Sequence, residues 1–188
     1  MTKNMKILLG VVVILIILFL INYMGQKKHT TQSENLFTCN PDDVFNIIIE
    51  EEGEKLEIVR IDTIWQIVGH DSLGIKRRQV DNFFTNVFTT KLQSIISRNP
   101  EKWAIYSVDD STGTFLTLLN DTGDTLNRVI FGRSKSNYSR NYVRIGDDLN
   151  VYQTNSNVIH QLQTRPTYWG EKPKPPEPEE KVDTTPVE

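Results

Sequence analysis

Three histidines (His29, His70, His160) and one cysteine (Cys39) are the chain's whole stock of imidazole and thiol chemistry. His70-Asp71-Ser72 sets the three residue types of a hydrolytic triad side by side. A triad relays a proton between groups brought together from separate parts of a fold, a geometry that sequence neighbours do not reach. The stretch therefore reads as a polar turn. Cys39 stands beside a polar tether, where a preorganised nucleophile pocket is not expected. It also lies too far behind the N-terminal apolar run to be a lipid-carrying cysteine. As the only cysteine it forms no intrachain disulfide. The chain has no H-x-x-x-H, C-x-x-C or EF-hand spacing, so no metal site is expected. Asp109-Asp110 and Asp147-Asp148 are acid pairs in turns and read as solvated. No phosphate-cradling glycine loop is present, and nucleotide hydrolysis is not expected of this chain. The expectation is no enzyme and no cofactor.

The stretch that most invites a functional reading is Phe131 to Arg144, FGRSKSNYSRNYVR. Arg133, Lys135, Arg140 and Arg144 interleave there with Tyr138 and Tyr142, and no acid intervenes. Cations alternating with aromatics suit nucleic acid, a glycan or an anionic polymer, and the expected compartment favours an envelope anion or a protein partner over RNA. The competing reading is a long hairpin loop kept soluble by charge. Lys76, Arg77 and Arg78 form a second basic group, at the wrong end of a helix for its dipole. They read as a solvated turn, or as a contact for anionic lipid or carboxylates.

These groups must be carried by something. Lys3 and Lys6 precede an unbroken apolar run from Ile7 to Ile21, extended by Asn22, Tyr23 and Met24 and closed by Lys27 and Lys28. Eighteen residues at 1.5 Å each span about 27 Å, near the thickness of a bilayer core. No small-x-small cleavage site follows, so the run reads as an uncleaved anchor. With so short a leading tail, the N-terminus is expected inside and the domain in the periplasm or outside. The expected division is 1–6 cytoplasmic tail, 7–24 transmembrane helix, 25–43 tether, 44–170 extracytoplasmic α+β domain and 171–188 disordered tail. That tail holds Pro173, Pro175, Pro176, Pro178 and Pro186 among Glu and Lys and cannot bury a core. The net charge of −3 gives no footing for nucleic acid as a partner.

Within the domain, 44–50 (VFNIIIE), 56–61 and 64–68 (IWQIV) read as a β-meander with turns at Glu52-Gly53 and Asp62-Thr63. From Arg78 to Leu92 the period changes. Val80, Phe83, Phe84, Val87, Phe88 and Leu92 share one face of an α-helix, with Phe84 mid-face. A second meander follows in 114–120, 126–131, 142–145 and 150–153, closed by a short helix over 155–162. The expectation is an α+β domain in two parts, meander plus helix twice, resembling an internal duplication.

The order of these landmarks resembles the bacterial family called domain of unknown function 4340, over roughly Val44 to Trp169. Its carriers are Trp65, the face Val80-Phe84-Val87, and Trp103 to Val108 with Tyr106. They continue with Thr114–Leu118, Gly123, Phe131-Gly132, Tyr142-Val143-Arg144, Val151-Tyr152 and Trp169. Where the family usually shows Tyr-Gly-Leu, this chain has Tyr106-Ser107-Val108. The resemblance implies an envelope protein at the bacterial inner membrane, associated with ABC transporter components of the gliding-motility type. The expected function is a membrane-anchored, non-enzymatic accessory or scaffold protein. The alternative is a periplasmic module binding glycan or anionic polymer through residues 131–144. The expected partners are the lipid bilayer, through residues 7–24, and a membrane complex.

Overall fold

The computed structural model describes residues 12–17, 19, 34–134 and 138–173. Its strands are β1 (Glu34–Asn35), β2 (Asn46–Glu51), β3 (Glu54–Ile61), β4 (Ile64–Ile67), β5 (Gly74–Ile75) and β6 (Lys91–Ser97). They continue with β7 (Thr114–Leu119), β8 (Thr125–Arg133), β9 (Asn141–Ile145), β10 (Val151–Thr154) and β11 (Gly170–Glu171). Nine of them form one sheet in the order β1-β6-β10-β9-β8-β7-β2-β3-β4, every pairing antiparallel. β5 and β11 form a separate two-stranded ribbon.

The strands follow from alternation. In β2 and β3, Ile47, Ile49, Leu56 and Ile58 are fully buried on one face, and Ile47 lies opposite Ile58, Ile49 opposite Leu56. The turn between them places Glu52 and Gly53 at positive φ, the backbone of a tight hairpin. β7 repeats the pattern with Leu116 and Leu118.

Two expectations are corrected here. The domain is not two meander-plus-helix halves but one continuous, mostly β structure. β2 pairs directly with β7, with Ile47 opposite Leu118 and Ile49 opposite Leu116, so the two meanders share one buried face. Separate halves would each leave an apolar edge open, and fusing them closes both. The expected second helix shrinks to a single 3₁₀ turn, Ile159–Gln161. The N-terminal transmembrane helix expected over residues 7–24 falls mostly on residues outside those described. Residues 12–17 and 19 are helical, and no helix among the described residues is long and apolar enough to cross a membrane. The rest of 7–24, with 1–6, 25–33 and 174–188, lies outside the described residues.

The amphipathic segment begins as the helix Arg77–Asn82 and widens to a π-helical turn over Phe83–Val87, where the Phe88 N–H donates to the Phe83 carbonyl. It stops there, and residues from Lys91 become β6 because β10 offers them a ladder. The segment carries the chain from β4 at one end of the sheet to β6 near the other. Val80, Phe83, Val87 and Phe88 are buried along it, and three of these pack with Trp169 and the apolar sheet face into the main core. On the opposite, outer face a smaller cluster of Val108, Ile130 and Val151 is covered by the 3₁₀ helix Pro100–Tyr106. That helix presses on β8 at Gly132, where a Cβ would lie 2.0 Å from the Tyr106 carbonyl oxygen.

Candidate interaction site

The sheet distributes the residues of the 131–144 stretch. Arg133, at the end of β8, is exposed and donates to Glu51 at 3.1 Å. Glu51 also accepts from the Thr114 hydroxyl at 2.8 Å. Lys135 lies outside the described residues. Tyr138 is 81% exposed, and its carbonyl accepts from Asn157. Arg140 reaches across the sheet, Nη1 donating to Gln93 and, at 3.1 Å, to Gln153. Tyr142 is half-buried edge-on against Tyr106, ring centroids 4.9 Å apart.

Arg144 is buried. Its Nε donates to the Val108 carbonyl at 3.2 Å, Nη1 to Gly146 at 3.1 Å and Nη2 to Asp110 at 3.0 Å, and the guanidinium lies 3.9 Å above the Trp103 ring. Tyr142 and Arg144 thus serve the outer-face cluster, while Arg133 and Tyr138 meet solvent. The described residues of the stretch do not share a single basic face.

The titratable turns are locally satisfied. His70, Asp71 and Ser72 are all exposed, as is His160. Burial pushes the Cys39 thiol up, helped by the charge of Asp43 and opposed by a backbone hydrogen bond. At Asp148 burial pushes the carboxyl up, but bonds from Asn150 and the Tyr152 hydroxyl outweigh it and leave it lowered. Among the described residues no group of three or more His, Cys, Asp or Glu stands together as a metal site.

A groove that the sequence did not announce lies at the β4 end of the sheet. It has a volume of about 600 Å³ between the β3–β4 hairpin and the start of the helix, lined among others by Arg60, Trp65, Arg77, Asp81 and Phe84. Trp65 and Phe84 face each other at 5.8 Å between centroids. Arg60 lies on β3 in register with Leu56 and Ile58, opposite Trp65, at the rim of the core. Its guanidinium sits 4.0 Å over the Phe45 ring and 5.7 Å from Trp65. Nη2 donates to the Asp42 carbonyl at 2.5 Å, and Nε is buried without a partner. The available signal was an arginine two residues beyond Ile58 on the register of β3 that buries Leu56 and Ile58.

The sequence profile described as "Domain of unknown function (DUF4340)" matches residues 65–178. The chain belongs to this family. Neither the curated proteins nor the solved structures yield a match. The DUF4340 match begins at Trp65, inside the groove, so Trp65, Arg77 and Phe84 fall within it. Phe45, just before β2, and Arg60, on β3, precede it.

Proposed function

We propose that this DUF4340 protein is a non-enzymatic accessory subunit of a membrane complex at the bacterial inner membrane, with its sheet domain outside the cytoplasm as the docking part. The observation that carries the reading is the edge hairpin. Ile61 and Ile64 are cross-strand partners on the outer face, and with Val68 they are 51%, 60% and 49% exposed. Apolar side chains clustered at an open sheet edge mark an interaction surface more often than a catalytic one. The Lys-flanked apolar run from Ile7 to Ile21 supports residence at the membrane. The family resemblance makes an ABC transporter the first partner to test.

Co-purification of the tagged full chain from membranes in mild detergent is the test. Stoichiometric membrane subunits, lost on Ile61→Asp and Ile64→Asp, are expected. A chain that purifies alone and instead retains glycan or an anionic polymer would move the function to the 131–144 stretch, whose exposed Arg133 and Tyr138 are the features that favour that second reading.

A further inference from the structure

The strongest unexplained chemistry is Arg60. Among the described residues it joins no ion pair, although its side chain is half-buried and one of its N–H groups is sealed from solvent. Removing a cation from water is costly unless something negative compensates it. The Asp42 carbonyl and the Phe45 ring compensate only in part. The groove opens in front of this group. Its far wall is the first turn of the helix, which begins with Arg77, contains no acid and has no side-chain cap from Lys76. Asp42, Arg77 and Asp81 also line the groove, but all three are exposed and screened by water, which leaves half-buried Arg60 as its least screened charge.

The backbone beside the groove is also unpaired. β4 ends the sheet order, so among the described residues no strand is hydrogen-bonded to its far side, and β5 of the small ribbon only packs against it. The Val68 N–H donates to the Glu57 carbonyl at 2.9 Å, and the register runs unbroken from Ile58↔Ile67 to Ile61↔Ile64. Antiparallel ladders alternate hydrogen-bonded and non-bonded pairs. Arg60↔Trp65 is therefore a non-bonded pair, and the Trp65 N–H and C=O point away from β3, towards the open edge. Extended peptides add to such edges through their main chain, with alternate side chains entering pockets.

We infer that the groove receives an extended, acidic segment of a protein partner, running along β4 with a carboxylate on Arg60. This rests on the accessory-subunit reading and names the chemistry of its partner. An added strand lies two strand spacings, about 10 Å, from β3. The guanidinium rests on Phe45 and Asp42, on the side away from β4, so it must swing towards β4 to meet the partner. An arginine so turned and a glutamate close the gap, and an aspartate falls short. The residue opposite Trp65 points to the groove face, so its apolar part rests on Trp65 and Phe84. Its neighbours in the segment point to the outer face, over Ile64. A carboxylate held by the planar guanidinium fork is the charge-assisted contact Arg60 lacks.

Site-specific photo-cross-linking of the full chain in its native membrane tests this. A photoreactive residue replaces Thr63, an exposed residue of the groove, and, in a separate sample, Ile61 on the outer face. Mass spectrometry is expected to find the Thr63 probe joined to one partner segment containing a glutamate. A synthetic peptide of that segment should bind the full chain. Its affinity should fall about tenfold for Arg60→Gln and by a similar factor when the peptide's glutamate becomes glutamine. The two changes together should cost little more than either alone. Arg77→Gln, at an exposed position, gives a smaller loss with an unchanged melting curve and guards against an Arg60 variant that merely unfolds. Cross-links from Thr63 to lipid, to residues 174–188 of the same chain or to a second copy overturn the inference. So does peptide affinity indifferent to Arg60→Gln. If Ile61 captures a membrane protein and Thr63 does not, the groove proposal fails and the accessory reading stands. If neither position captures protein, both fail.

Discussion

Arg144 and Asp110 form an ion pair at 3.0 Å whose two ends lie in different media, the arginine side chain 7% exposed and the aspartate 84%. The pair is therefore unequal. Arg144 also holds the Val108 and Gly146 carbonyls and covers Trp103. Its loss strands buried acceptors and an aromatic face. Arg144→Ala should lower stability by about 2–4 kcal/mol. Asp110→Asn should change it by less than about 1 kcal/mol, as for an exposed pair. Urea denaturation of both variants checks the asymmetry, and equal losses would refute it.

The helix face offers a second contrast. Phe83 is 0% exposed and meets Trp169 at 6.3 Å, whereas Phe84 is half-buried in the groove wall. Phe83→Ala should cost about 3–5 kcal/mol and Phe84→Ala about 1–2 kcal/mol. Thermal melts rank them; the reverse order would mean that the π-helical turn does not aim Phe83 into the core.

Where the 3₁₀ helix Pro100–Tyr106 meets β8, two backbone positions oppose each other. Ser107 ends that helix at φ 54, ψ 39, a left-handed conformation in which glycine is the unstrained residue. Ser107→Gly should add about 0.5–1 kcal/mol of stability. Gly132→Ala drives a methyl into the Tyr106 and Ser107 carbonyls and should cost about 3 kcal/mol or more. Opposite shifts in melting temperature are the expected readout.

Asp109 supplies the pH dependence. Burial pushes its carboxyl up, but hydrogen bonds from the Ser111 and Thr112 hydroxyls and amides outweigh this and hold the pKa at about 2, below the ordinary 3.8. A depressed carboxylate adds stability that is complete above the unfolded value and disappears as pH falls from about 3.8 to about 2. The group is largely solvated, so the contribution is small. Asp109→Asn should flatten the acid limb of the urea midpoint between about pH 4 and pH 2. A limb as steep as in the parent would place the sensitivity elsewhere.

The strands of both meanders were legible because their alternation is clean: Ile47 and Ile49 against Ile58 and Leu56, and the Gly123 hairpin between β7 and β8. Fusion of the meanders into one sheet was not, since the β2–β7 pairing depends on which apolar faces meet, which a local period does not encode. β6 was only partly legible, for a related reason: Ile95-Ile96 suggests a short apolar strand, but the helical period runs on to Leu92. Lys91–Ser97 alternates poorly, with Ile95 42% and Ile96 36% exposed, and becomes a strand only because β10 and β1 flank it. In the 131–144 stretch, composition marked the cations. Burial of Arg144 follows from the two-residue period of β9, which sets it beside Tyr142 on the outer face. The groove at Arg60 joins residues from three separate segments, and only the fold assembles them.

The crossover from β4 to β6 also governs the order in which the molecule is completed. β6 sits between β1 and β10, so the strand that follows the first meander has no inward neighbour until the fourth strand of the second meander arrives. A chain emerging N-terminus first must hold Lys91–Ser97 without its β10 partner, with only the two residues of β1 beside it, while β7, β8 and β9 are laid down. Such distant pairings make for slow folding and a prolonged exposure of open strand edges. β1, which joins the domain to the segment before it, can be fastened only after β6 is seated. The attachment of the N-terminal segment thus rests on a strand whose own inner partner, β10, is among the last parts of the domain to be synthesised.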